Sequence, residues 1–128
     1  ARILSILEQY DGSNMTLAQG LYATTKYALA RWVRRISASW GANGVRINAV
    51  APGNVRTPLT AAMGDRATAA LAGLPIPINY RTGDQLLDPV DIANVLAFLV
   101  SPAAHGVNGN IMFVDGGTDA LLNSEKVY

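Results

Sequence analysis

Gly41 to Thr57, GANGVRINAVAPGNVRT, contains the step that decides the fold. Its glycines at 41 and 44 suit a helix end, because glycine tolerates the left-handed backbone common just past a helix C-terminus. Val45 to Ala51 is short, rich in β-branched residues and bounded by Gly44 and by Pro52-Gly53, which predicts a strand. A helix that gives way to a strand within a few residues has the spacing of an α/β unit.

Upstream, Thr16 to Trp40 contains no proline and a single glycine. Leu29, Val33, Ile36 and Trp40 follow one another at helical spacing, so this stretch predicts one long amphipathic helix. A short helix over Ala1–Tyr10 and a turn at Asp11-Gly12-Ser13-Asn14 are expected before it. Downstream, the alanine-rich stretch from Leu59 to Leu74 suits one or two short helices, and prolines at 75, 77 and 89 forbid one continuous helix through the irregular segment that follows. Pro89 to Val100 predicts a helix with Asp88 as N-cap and Ile92, Val95, Leu96 and Leu99 as its apolar face. Ile111 to Val114 predicts a second strand, closed by Asp115-Gly116-Gly117. This order gives parallel strands joined by crossovers, and two strands are too few for a stable sheet. Residues 1–128 therefore read as a partial single domain, the C-terminal portion of a doubly wound parallel-sheet α/β fold.

Half of the residues are hydrophobic and 15% are charged, enough apolar material for one core and too much for a disordered tail. A formal charge of +1 without a basic run gives no indication of nucleic acid or of an anionic membrane as partner. Cysteine is absent, which removes disulfides, thiolate chemistry and Cys-ligated zinc; no metal-ligating set is nominated. No apolar run is long enough to span a bilayer and no signal-peptide pattern opens the chain, so a cytoplasmic protein is expected.

Extended backwards from Trp40 by the same helical steps, the apolar stripe reaches Lys26 and Tyr22 in the run YATTK. Arg31, Arg34 and Arg35 fall off it, where solvent or a partner subunit can satisfy them. A lysine on an apolar face is costly unless its head snorkels out or meets partners. Residues i and i+4 of one helix face project side by side, so an ammonium can approach a phenol there, favour its ionised form and fit it for general acid/base work at a carbonyl or alcohol oxygen. The plainer alternative is a structural tyrosine beside a snorkelling lysine. Pro52 to Thr57 follows the C-terminal end of the first strand, and in open α/β sheets ligands bind outside such ends.

Tyr22-x-x-x-Lys26, GVRINAVAPG from 44 to 53, Pro52-Gly53-x-Val55-x-Thr57 and NGNIMFVDGG from 108 to 117 together resemble the C-terminal half of a short-chain dehydrogenase/reductase. The resemblance covers nearly the whole chain and implies a Rossmann-like domain, NAD or NADP as cofactor, an alcohol or carbonyl substrate and assembly into a homodimer or homotetramer. It also implies Tyr22 as general acid/base, and Lys26 as the residue that holds the nicotinamide ribose hydroxyls and helps ionise Tyr22. Pro52 and Gly53 would shape the turn beside the nicotinamide, the backbone of Val55 would meet its carboxamide, and the Thr57 hydroxyl would add a cofactor contact. Asn48 is expected to brace its strand and the neighbouring loop, and the lobe from Thr57 to Leu87 to set substrate shape.

The departures from the family pattern are definite. No G-x-x-x-G-x-G or G-x-G-x-x-G run occurs, so there is no phosphate-cradling loop, and the positions where the family's catalytic serine is expected hold Glu8, Gln9 and Tyr10. The opening residues 1–26 and the ending DGGTDALL resemble the subgroup of 3α-hydroxysteroid dehydrogenase/carbonyl reductase and coniferyl-alcohol dehydrogenase, which carries an inserted helical segment between serine and tyrosine. A non-catalytic fragment held by subunit packing is the alternative function. His105, the single histidine, is expected in a surface or loop-bracing role, and Trp32, Trp40 and Tyr27 in packing.

Overall fold

The computed structural model describes residues 15–62, 64, 79–83 and 85–125. The expected helix over Ala1–Tyr10 and most of the alanine-rich stretch after Leu59 lie outside the described residues.

Helix α1 runs over Met15–Gly41, matching the proline-free stretch. It ends in a turn that places Gly44 at φ 76 and returns the Val45 N–H to the Trp40 carbonyl at 3.0 Å. Strand β1, Ala49–Pro52, then pairs in parallel with β2, Ile111–Val114, in the register Ala49↔Ile111 to Pro52↔Val114. Between them lie α2, Pro58–Ala62, and α3, Pro89–Val100, followed by a 3₁₀ turn over Pro102–Ala104; α4, Thr118–Leu122, follows β2. The predicted bounds of α3 and β2 agree with those observed, and the parallel pairing is that of an α/β sheet.

Strand β1 is shorter than the predicted Val45–Ala51. Residues 46–48 are tied to the loop before β2 mainly through side chains, with one backbone bond, the Gly109 N–H to the Ile47 carbonyl at 2.8 Å. The Ile47 N–H donates to Asn108 Oδ1 at 2.9 Å, and Asn48 accepts from the Asn110 N–H at 2.9 Å while its own amide donates to the Val107 carbonyl at 2.9 Å. Asn48 thus braces strand and loop as expected. Arg46 adds its guanidinium to the Val107 and Ser101 carbonyls, at 3.2 and 3.3 Å. The same loop is tied to α1 by Asn108 Nδ2, which donates to the Ser37 carbonyl at 2.9 Å.

The buried apolar residues among those described are Val33 of α1, Leu99 of α3 and Ala104 of the 3₁₀ turn. The predicted buried seam along α1 is corrected by this. Val33 is buried and Ile36 half-buried, but Leu29 and Trp40 are exposed, and so are Tyr22 and Lys26. The sheet-side contacts of α1 come from the loop at Asn108 and reach its C-terminal half, so the N-terminal half of the stripe has nothing to bury it among the described residues. Trp32 and Trp40 meet edge to face at 6.1 Å, yet both remain over 40% exposed, so they form a surface cluster rather than core.

Candidate active site

The helical spacing of Tyr22 and Lys26 brings the Lys26 ammonium over the Tyr22 ring, 5.3 Å from its centroid. The Tyr22 backbone carbonyl accepts from the Thr25 hydroxyl at 2.7 Å. Tyr22 is 66% exposed, so its oxygen is open to a ligand from outside the chain. The pair is assembled by α1 alone, without help from another element.

The second group of expected residues forms one continuous turn. The Gly53 N–H donates to the Val114 carbonyl at 2.9 Å, extending the β1–β2 pairing by one bond. A side chain at 53 would meet the Asp115 backbone, since an added Cβ would lie 2.7 Å from the Asp115 Cα. Glycine is therefore required there by close approach. Asp115 in turn shapes the start of α4, its carboxylate accepting from the Gly117 and Asp119 N–H groups at 2.9 and 2.7 Å. The turns after the two parallel strands are thus packed on each other at the C-terminal edge of the sheet.

Beyond Gly53 the chain bridges in parallel to the residues before α3, Val55 opposite Leu87. The Leu87 N–H donates to the Asn54 carbonyl at 2.9 Å and the Leu87 carbonyl accepts from the Arg56 N–H at 2.8 Å. In such a bridge the N–H and C=O of the opposing residue face away from the ladder. The Val55 carbonyl is taken by the Thr60 hydroxyl at 3.0 Å, while the Val55 N–H has no hydrogen-bond partner among the described residues. Thr57 caps α2 reciprocally with Thr60: its Oγ1 accepts from the Thr60 N–H at 3.2 Å and its N–H donates to Thr60 Oγ1 at 2.8 Å. The Thr60 proton is directed at the Val55 and Thr57 carbonyls, and the Thr57 hydroxyl lies 3.2 Å from Thr60 Oγ1, which can accept its proton.

The structure therefore assembles Tyr22 with Lys26, and Pro52 with Gly53, Val55 and Thr57. No hydrogen bond, ion pair or ring contact joins the two groups among the described residues. It also shows what sequence reasoning left out: Asn79, 5% exposed, and the ion pairing of Arg56, Arg81, Asp88 and Asp91 beside the Val55–Leu87 bridge. A capping signal marks Asp88 in the sequence, but nothing local marks Arg81 as its partner. His105 is exposed, its N–H closing the 3₁₀ turn on the Pro102 carbonyl at 3.1 Å.

A helix-borne Tyr-x-x-x-Lys pair, a parallel strand ending in Pro-Gly and a second strand ending in Asp-Gly-Gly are the features in which the chain resembles the short-chain dehydrogenases. A family model described as enoyl-(acyl carrier protein) reductase matches residues 3–119, and the chain belongs to the short-chain dehydrogenase/reductase family. Among its relatives is 3-alpha-hydroxysteroid dehydrogenase/carbonyl reductase of Comamonas testosteroni, 41% identical over 124 residues, which cover 95% of this chain and 45% of that protein. Galactitol 2-dehydrogenase (L-tagatose-forming) of Cereibacter sphaeroides is 40% identical over 96 residues, covering 75% of this chain and 36% of that one. Of the solved structures, 3-alpha-hydroxysteroid dehydrogenase from Pseudomonas sp. B-0831, complexed with NADH, superposes with a TM-score of 0.69 at 38% identity over 82% of this chain and 40% of that one. A putative 2-deoxy-d-gluconate 3-dehydrogenase from Agrobacterium tumefaciens with bound NADP gives 0.66 at 33% identity, over 77% and 39%. The chain spans less than half the length of each of these relatives.

Proposed function

We propose that this chain is the C-terminal half of an NAD- or NADP-dependent oxidoreductase acting on an alcohol or carbonyl substrate of hydroxysteroid- or aryl-alcohol-like shape. The observation that carries the reading is the Lys26 ammonium poised 5.3 Å from the ring of an exposed Tyr22. Solved relatives hold NADH and NADP, which supports a nicotinamide cofactor and leaves the choice between the two open.

The residues present fit such a cofactor. Lys26 would offer ammonium donors to ribose hydroxyls, Val55 an N–H that has no hydrogen-bond partner among the described residues to a carboxamide oxygen, and Thr57 a hydroxyl that exchanges its Thr60 contact for the cofactor. Pro52 and Gly53 hold that turn against Asp115, so its backbone donor is fixed in place before any ligand arrives. When bound, the nicotinamide supplies or accepts the hydride. Tyr22 delivers a proton to the substrate oxygen in reduction and withdraws it in oxidation, and Lys26 stabilises the negative charge this leaves on the phenol side.

The test is Tyr22→Phe in the full-length enzyme that carries these residues. Turnover is expected to fall about 10²- to 10⁴-fold, the usual worth of a general acid/base, while cofactor still binds. Unchanged turnover would sink the assignment.

A second reading is favoured by the burial pattern. With three buried apolar residues among those described, and Tyr27, Trp32, Phe98 and Phe113 all exposed, the 128-residue chain by itself would be a non-catalytic fragment held by packing against other subunits or segments. The cofactor-binding N-terminal half and the catalytic serine would then come from outside this sequence, and assembly would be homodimeric or homotetrameric.

A further inference from the structure

We propose that Arg81, acting through Asp88, is a positioning residue that sets the direction of the Val55 N–H and so the fit of the cofactor's carboxamide. The inference rests on the role given to Val55 above and extends it to residues that touch no ligand.

Val55 is placed by two hydrogen bonds of its neighbours with Leu87: the Asn54 carbonyl accepts from the Leu87 N–H, and the Arg56 N–H donates to the Leu87 carbonyl. One residue further along the same parallel register, Arg56 faces Asp88, and Arg56 Nε meets Asp88 Oδ1 at 3.3 Å. A single pair this exposed contributes little by itself. Asp88, however, is gripped from both sides, because Arg81 Nη2 meets its other oxygen at 2.7 Å and reaches on to Asp91 Oδ1 at 3.2 Å. Asp91 accepts from the Asp88 N–H at 2.9 Å, closing the first turn of α3 around the same residue. Two arginines and two aspartates thus join α3, the bridge and the strand-end turn in one network whose charges balance.

Arg81 is itself held in place. The Asn79 side chain, nearly fully buried, donates to the Leu86 carbonyl at 2.9 Å and accepts from the Arg81 N–H at 3.0 Å, and its backbone carbonyl takes the Gly83 N–H at 2.7 Å. This turn sets the Arg81 guanidinium opposite Asp88 independently of any ligand. Without Arg81, two carboxylates face one guanidinium; Asp88 then has a reason to swing outward, and the Val55–Leu87 register loosens. The consequence falls on the Val55 N–H, which has no hydrogen-bond partner among the described residues.

Steady-state kinetics of the full-length enzyme, run with the natural cofactor and with its thionicotinamide analogue, test this in Arg81→Met and Arg81→Lys. Arg81→Met is expected to raise KM for the natural cofactor about three- to tenfold, the equivalent of one hydrogen bond, with kcat at saturating cofactor held within about twofold. It should also narrow the wild type's preference for the natural cofactor over the sulfur analogue, and Arg81→Lys should restore part of both. Arg56→Met, which cuts the other arm of the network, gives a second measure of the same quantities should Arg81→Met fail to fold. An intact preference and unchanged KM in these variants would overturn the positioning role while the Val55 assignment stands. A wild type indifferent to oxygen or sulfur would overturn the Val55 assignment and the proposal with it.

Discussion

An ammonium 5.3 Å from a tyrosine ring on an open helix face remains hydrated, so its influence on the phenol depends on what later covers the pair. Covered by a dinucleotide and by substrate, the same two groups lose competing water and the charge counts for more. Lys26→Met is therefore expected to raise KM for the cofactor about 10- to 100-fold, the range for charge-assisted hydrogen bonds, and to lower kcat in the same preparation. Initial rates across a cofactor series check this, and a variant with normal KM would remove Lys26 from the ribose site. At Gly53 the argument is steric. A methyl placed 2.7 Å from the Asp115 Cα has backbone rather than a flexible tip to displace. Gly53→Ala should cost about 1–3 kcal/mol of stability, read from the denaturant midpoint, and should weaken cofactor binding at the displaced turn.

At the scale of elements, the loop at residues 107–110 acts as the joint between α1 and the sheet. Asn108 alone takes the Ile47 N–H and gives to the Ser37 carbonyl, each at 2.9 Å. Asn108→Ala is expected to destabilise the fold by about 1 kcal/mol, observable as a lowered Tm, and to slow turnover only as far as α1 shifts relative to the strand-end turn. This joint also shows which parts of the fold were legible in the sequence. The bounds of α1, α3 and β2 follow from local causes: absence of proline, an Asp-Pro start, a glycine-closed β-branched run. Strand β1 is shorter than expected because a β-branched run bounded by glycine and proline says nothing about the partner: the Ile47 N–H goes to the Asn108 side chain and the Asn48 amide turns to the loop backbone, while the Ile47 carbonyl takes the Gly109 N–H. The burial of Tyr22 and Lys26 was misread for the same reason. A helical stripe states which residues share a face, and what covers that face belongs to other parts of the chain or to other chains. Tyr22 beside Lys26 was legible because four residues of helix bring them together, whereas Arg81, Asp88 and Arg56 meet through a turn and a bridge that leave no periodic mark.

For the molecule as a whole the question is what the two paired strands and three buried apolar residues among those described can hold together. A two-stranded sheet is marginal without further strands or a covering layer, and an exposed sheet edge invites association. Large apolar side chains are exposed on several elements: Trp32 and Trp40 on α1, Phe98 and Val100 on α3, Phe113 on β2, Leu121 and Leu122 on α4. Just before β1, Gly44 to Asn48 together with Leu96, Leu99 and Val100 of α3 line an open groove of about 490 Å³. The 128-residue chain in isolation is accordingly expected to self-associate and to show no saturable binding of NAD(H) or NADP(H) in a calorimetric titration. Sedimentation velocity on the same sample would register the association as species heavier than the 13.5 kDa chain. Clear stoichiometric cofactor binding by a monomer would mean that the Lys26 and Val55 donors suffice without the remainder of a dinucleotide site, and would overturn the fragment reading while strengthening the assignment of those two residues.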